Sequence, residues 1–499
     1  MQINVILVTV AAVLFTMTAV AEDAPTVVDP WISTDKVPDF RTIDRLIKSV
    51  VKEGMTNEQK VLAVFHVVRR NFCHWKTSRH LAYDFHRVQH SLGSGACLTM
   101  TTPLHVIYER MGFKSQSWVH NGHHMMEVEY DGSRHCLDPH MSFYCYDRST
   151  PRKIASIKQL RADKTLAYDA KKEGRAGQGY LLCGDSPKYF APGGRWKLER
   201  DGRWPKMKIE EPFGKIALRR GETYVRTWSP GPYYVKIRDR AGKIAPDKYG
   251  CGTVHTCGAR ADSRDTANWS LYEPHLAKVG IGRMARASLY RLWAVGRLEY
   301  QMPGTKDGYK DAVVSEKNIS QTWSGLMQTD KAQPGELIFS VACPYVLTAG
   351  EVKLFSPKGN VAASVSVDKG KTWKPVALAV EEERVHEGRF VDEVNGALEG
   401  YRLKVVLTRG TQLRSLSLVS HFQVNRFSLP HLVPGKNVVK VEAARYGAPL
   451  TVRYEWAEGE GWTTPKSASK TFTKDGTFEI EVAGPKYPRM KALTLSVAR

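Results

Sequence analysis

The hydrophobic period of this chain changes once, and that change limits the folds open to it more than any other feature. Up to residue 112, apolar residues recur at helical spacing: Ile43, Leu46, Ile47, Val50 and Val51 form one stripe, and Val61, Val64, Phe65 and Val68 a second. Gly54 is placed to end the first helix, and Thr56 with Gln59 three positions on makes a capping box that opens the next. From Lys114 to His140 the chain turns extended, with Asp131-Gly132 as a two-residue hairpin turn. From about Lys208 onward helical stripes are rare. Short alternating runs take over, such as Tyr233-Tyr234-Val235-Lys236-Ile237, Gly335 to Val341 and Phe478 to Val482, between turns rich in Gly and Pro. The expected fold is an α+β unit followed by all-β, sandwich-like domains.

The 499 residues are 42% hydrophobic and 25% charged, which excludes a disordered or fibrous chain and leaves room for two to four domains. Val5 to Val20 is uncharged and apolar, and Ala19-Val20-Ala21 has the small residues of a cleavage site. Residues 1–21 thus read as a signal peptide, with an uncleaved anchor as the alternative; no later segment is apolar enough to span a membrane. The expectation is a secreted or periplasmic protein with an α+β domain over 22–199, a β-rich domain over 200–330 and a β-sandwich-like domain over 331–499.

The net charge is +22, and residues 151–250 hold 24 Lys+Arg against 11 Asp+Glu, so that fifth of the chain supplies more than half of it. It reads as a solvated basic face or as a landing site for an acidic polysaccharide, cell-wall polymer or protein substrate. No zinc-finger, helix-turn-helix or aromatic RNA-binding motif accompanies it, so nucleic acid is not an expected partner.

Eleven of the sixteen histidines lie between His66 and His140, in the stretch that also holds Cys97 and Asp138. Gly93-Ser94-Gly95-Ala96-Cys97 sets a cysteine after a glycine-containing loop, and Met100, Leu104, Ile107 and Met111 follow at helical spacing. A thiolate at a helix start is favoured by free N–H groups and the helix dipole. Pro103 either kinks this helix or makes it restart, with Thr102 as its cap. Strand parity sharpens the reading. If Asp131-Gly132 are the turn residues, Tyr130 pairs with Ser133 and Met125 lies opposite Asp138. His123 is then Asp138's diagonal neighbour on one face, while His124 points the other way with Met126, Val128 and Tyr130. Cys97, His123 and Asp138 form a nucleophile, a base and an orienting carboxylate.

Gly95-Ala96-Cys97, the helix ending at Met111-Gly112, His123-His124-Met125-Met126-Glu127-Val128 and Leu137-Asp138-Pro139 together resemble the core of the transglutaminase-like superfamily. The resemblance covers roughly residues 40 to 150. It implies a papain-like α+β fold and acyl transfer through a thioester, with the cysteine, the histidine of His-x-x-x-Glu-Val and the aspartate of Asp-Pro as catalytic residues. It leaves open whether the chain cross-links proteins, hydrolyses peptides or carboxamides, or is an inactive scaffold in a non-enzymatic cell-surface or polysaccharide-binding protein. For the oxyanion, the backbone N–H of Cys97 is the first donor, and Trp75, His74 or Gln89 are candidates for a second.

This chemistry needs no cofactor. His120, His123, His124, Cys136 and His140 offer ligands, but no spacing matches a metal signature, so no metal is expected. Of the remaining cysteines, Cys251 with Cys257 and Cys136 with Cys145 are the candidate disulfides. Ser366-Val367-Asp368-Lys369-Gly370-Lys371-Thr372-Trp373 matches the Asp-box pattern of sialidase propellers, but as a single copy it reads as a structural hairpin with Trp373 anchored in the core.

Overall fold

The structure, a computed structural model, describes residues 26–74, 81–120, 123–139, 143–177, 198–201, 204–236, 253–255, 283–285, 293–381 and 384–498. The proposed signal peptide, Trp75, His140, Cys183, Cys251 and Cys257 lie outside the described residues. The described part is β-rich, with several sheets and a smaller helical share. No helix among the described residues is long and apolar enough to cross a membrane.

Strands β1 (Thr26–Val28) and β2 (Trp31–Thr34) precede helices α1 (Ile43–Val50) and α2 (Asn57–Asn71). Thr42 caps α1 by accepting the Arg45 N–H, and Thr56 and Gln59 close a reciprocal capping box at the start of α2. Next come β3 (Cys73–His74), a one-turn helix α3 (Phe85–Arg87) that runs into a π-helical turn at Val88–Leu92, β4 (Ser94–Gly95) and helix α4 (Cys97–Arg110). Strands β5 (Lys114–His120), β6 (His123–Tyr130), β7 (Ser133–Leu137) and β8 (Leu198–Asp201) form one antiparallel sheet in the order β7-β6-β5-β8. Helices α5 (Ile157–Ala162) and α6 (Thr165–Tyr168) follow the hairpin.

Period-two alternation on β6 feeds two cores. Met126, Val128 and Tyr130 pack with Phe65, Val68, Leu104 and Ile107 of α2 and α4, whereas Met125 joins Cys136, Phe143, Cys145, Ile157 and Leu160 on the opposite face. Each of these large apolar side chains contributes about 1.5–3 kcal/mol by leaving water.

The β-rich part is built on a nine-stranded antiparallel sheet. Its strands run in the order 378–381, 385–390, 346–355, 415–424, 294–301, 222–227, 489–497, 450–458 and 464–472. A five-stranded sheet, containing 335–341 and 401–407, shares its hydrophobic core. Strand Ala294–Gln301 sits between Ser415–Val424 and Glu222–Thr227, so the border expected near 330 runs through a continuous sheet. Near 200, β8 still pairs with β5, and Lys208 exchanges backbone hydrogen bonds with Tyr83 and Phe85. The amino-terminal strands belong to the far end of the chain: Val27 pairs with Tyr446 and Ile32 with Val441.

Three expectations need correction. Tyr233 to Lys236 is not a strand, because the Val235 and Lys236 N–H groups are taken by the side chains of Gln423 (2.8 Å) and Asn395 (2.9 Å). Cys136 and Cys145 are both free, each packed among apolar side chains in the small core. Trp373 is only half-buried, with the Lys404 ammonium 4.3 Å above its ring, so the Asp box is held by Asp368 rather than by a core anchor. Asp368 accepts from the Ser366 hydroxyl (2.7 Å), the Thr372 N–H (2.9 Å) and the Thr372 hydroxyl (2.6 Å).

Candidate active site

The chain reaches Cys97 through a passage that tolerates little besides glycine. Gly93 takes φ 51°, in the left-handed region. Gly95 lies so close to the first turn of α4 that a Cβ on it would fall 2.5 Å from the Thr99 Cβ. Between them, β4 pairs in parallel with β3, setting His74 beside Gly95. Ala96 then caps α4 without a side-chain acceptor, so the first N–H groups of the helix are left to whatever sits beside Cys97.

Helix α4 runs unbroken through Pro103, so the restart considered for Thr102 does not occur. The hydroxyls of Thr101 and Thr102 donate to the carbonyls of Cys97 (3.1 Å) and Leu98 (2.7 Å), supplying local hydrogen bonds in the turn where Pro103 lacks an N–H.

His123 opens β6 and Asp138 follows β7. Asp131 (φ 49°) and Gly132 (φ 69°) form the turn, and the register runs from Tyr130 opposite Ser133 to Met126 opposite Leu137. Beyond it, Asp138 exchanges backbone hydrogen bonds with Phe143 (2.9 Å each way). His123, not His124, meets the aspartate, as strand parity requires: its Nε2 lies 2.6 Å from Asp138 Oδ2, and both side chains are buried. Against a carboxylate Nε2 carries the proton, which leaves Nδ1 for the hydrogen bond between His123 and the Cys97 thiol.

Burial works against charge on both groups, and both overcome it. Burial pulls the His123 imidazole down, but the Asp138 charge and hydrogen bond, aided by Cys97, push it up to about 10. Burial raises the Cys97 thiol, but its hydrogen bond to His123, the imidazolium charge and the His124 backbone N–H bring it below its ordinary value. The arrangement favours a thiolate–imidazolium pair with Cys97 partly exposed.

Glu127 carries a role that its place in the motif did not disclose. Its buried carboxylate accepts from Trp118 Nε1 (2.7 Å) on β5 and from the Ile157 N–H (2.8 Å) at the start of α5. It thereby ties the hairpin to the structure behind it.

Of the second oxyanion candidates, Trp75 and the His74 side chain lie outside the described residues. Gln89 is buried in an amide cluster, with its Oε1 accepting from Asn71 Nδ2, and no hydrogen bond joins it to Cys97 among the described residues. Among the described residues no group of three His, Cys, Asp or Glu side chains is placed to hold a metal ion.

No family model matches this chain, and no curated protein does. Among solved structures it is similar to the pilus backbone protein RrgB of Streptococcus pneumoniae, at 11% identity over 33% of this chain and 43% of that one. The TM-score is 0.12, and the match spans less than half of the pilus protein, so this likeness carries no argument about fold or function.

Proposed function

We propose that this is an exported, transglutaminase-like thiol enzyme that performs acyl transfer or hydrolysis on peptide or carboxamide bonds. The observation that carries the reading is the hydrogen-bonded line from Cys97 through His123 to Asp138, set at a helix start without a capping side chain. Helices packed on a short antiparallel sheet, with the thiol on the helix and the imidazole on the strand, support a papain-like core for this unit.

In the proposed reaction Cys97 Sγ attacks the carbonyl carbon, forming a C–S bond while the oxygen takes negative charge beside the free N–H groups of α4. The proton on His123 Nδ1 passes to the leaving nitrogen as the C–N bond breaks, and a thioester remains. Water or an amine then gives a proton to Nδ1 and attacks the thioester, and the C–S bond breaks to restore the thiolate–imidazolium pair. Asp138 holds the ring and stabilises its cation throughout.

The test is a screen of peptides and carboxamides, with and without an added amine, on the wild type and Cys97→Ala. Turnover that disappears in Cys97→Ala supports the reading; turnover retained in that variant overturns it, as does a wild type whose Cys97 shows no activated thiol.

A second reading, a polysaccharide-binding protein with an inactive thiol domain, is favoured by Trp323. This indole is 98% exposed on a hairpin tip that Thr322 and Gln412 brace through hydrogen bonds to Gly325 and Ser324. Lys358 bridges Gln412 on the neighbouring strand and Arg414 follows that strand, and both are exposed. An exposed ring on a hairpin whose neighbouring strand is flanked by exposed basic residues suits an acidic sugar polymer. Retardation of Cys97→Ala by polygalacturonate, lost in Trp323→Ala, supports this reading.

A further inference from the structure

We infer that Asn425, with Gln423 and Trp293, is a positioning residue for Cys97: the β-rich part caps the helical turn from which the nucleophile loop departs. The inference rests on the proposed thiol chemistry.

A helix end leaves its last four carbonyls without intrahelical donors. Here the helical stretch from Phe85 to Leu92 ends in the π-helical turn, and Gly93 returns its N–H to Val88 O. The four carbonyls left over belong to Gln89, His90, Ser91 and Leu92, and each accepts from a residue more than 200 positions downstream. Asn425 Nδ2 reaches Gln89 O (2.7 Å), the Asn425 N–H reaches His90 O (2.6 Å), Gln423 Nε2 reaches Ser91 O (3.1 Å) and Trp293 Nε1 reaches Leu92 O (2.5 Å). The β-rich sheet thus reaches all four carbonyls, and Asn71 Nδ2 at the end of α2 adds a local donor to Gln89 O (3.2 Å).

Asn425 also holds the second strand of the approach. Its Nδ2 faces Asn71 O and Asn71 Oδ1, both at 3.0 Å, at the end of α2 and two residues before β3. Because β3 pairs with β4, one side chain fixes both backbones that lead to Cys97. The fit is close: a Cβ on Gly93 would lie 2.5 Å from Asn425 Cγ. Three residues separate this contact from Cys97, so a displaced turn moves the thiol relative to His123, which sits on a separate sheet.

The experiment follows the pH midpoint of Cys97 alkylation by iodoacetamide in the full chain, read by peptide mass spectrometry, with circular dichroism to establish the fold. Asn425→Ala is expected to move the midpoint up by about one unit, slowing alkylation about tenfold at pH values below the wild-type midpoint, while the limiting rate at high pH is unchanged. Ser428→Ala, which removes only a bond to the Asn425 carbonyl in the same turn, should leave the midpoint in place. If Asn425→Ala does not fold, Trp293→Phe keeps a ring, loses the donor to Leu92 and is read in the same way. A folded variant with the wild-type midpoint overturns the positioning role alone. An ordinary midpoint in the wild type overturns the thiol-enzyme reading, and the positioning role with it.

Discussion

Asp138 Oδ2 stands 2.6 Å from His123 Nε2, and the aspartate is fully buried, so the imidazole finds its counter-charge where water cannot screen it. Replacing this carboxylate by an amide of the same shape keeps the packing and removes the charge. Asp138→Asn is therefore expected to lower turnover by about 10²–10⁴-fold. The midpoint of Cys97 alkylation should rise toward that of a free thiol. An unchanged midpoint would remove Asp138 from the site.

The two shifted groups define a pH window. The thiolate forms above the lowered Cys97 value, and the imidazolium persists until His123 deprotonates near 10. Alkylation should climb at a pH below that of an ordinary thiol and change again near pH 10, where the imidazolium is lost. The stability effect has the opposite sense to that of a paired carboxylate. His123 is raised from 6.5 in the folded state, so its contribution is complete below about 6.5 and is lost as pH rises through about 10. The difference in melting temperature between wild type and His123→Ala should shrink across that interval.

Alkylation should also discriminate among thiols. Burial pushes Cys136 well above its ordinary range and carries Cys145 and Cys343 to about 12. Brief treatment of the native protein at neutral pH is expected to label Cys97 at least about tenfold faster than these three. Equal labelling, scored by peptide mass spectrometry, would contradict the electrostatics of the site.

Gly95 has no room for a methyl group against Thr99. Gly95→Ala should slow Cys97 alkylation more than it lowers the melting temperature, because the clash falls on the loop that aims the thiol rather than on the core. Removing the opposing Cβ in Gly95→Ala/Thr99→Gly should restore part of the rate. A double variant no faster than the single one would place the defect elsewhere.

The residues that sequence located well are those governed by short-range geometry. A two-residue turn fixes register, register fixes parity, and parity chose His123 over His124; the capping box at Thr56 and the helical stripes were legible for the same reason. Helix α4 runs through Pro103, which a rule about proline alone does not anticipate; the Thr101 and Thr102 hydroxyls bond to the Cys97 and Leu98 carbonyls in that turn. The run from Tyr233 to Lys236 alternates like a strand, but side chains over 150 residues away had already claimed its N–H groups. Asn425 carried no local signal for this role, since it depends on a turn 336 residues upstream.

Strands β1 and β2 pair with segments around 439 to 446, and this sets a timetable for the chain as it is made. Ile32 leaves the ribosome long before Val441, and at about 5–20 residues per second the wait is roughly 20 to 80 s. During that interval the amino-terminal strands have unpaired edges, and the strand Ala294–Gln301 lacks its neighbour Ser415–Val424. The β-rich unit must therefore close after synthesis is nearly complete, and the turn that carries Cys97 receives its cap only then.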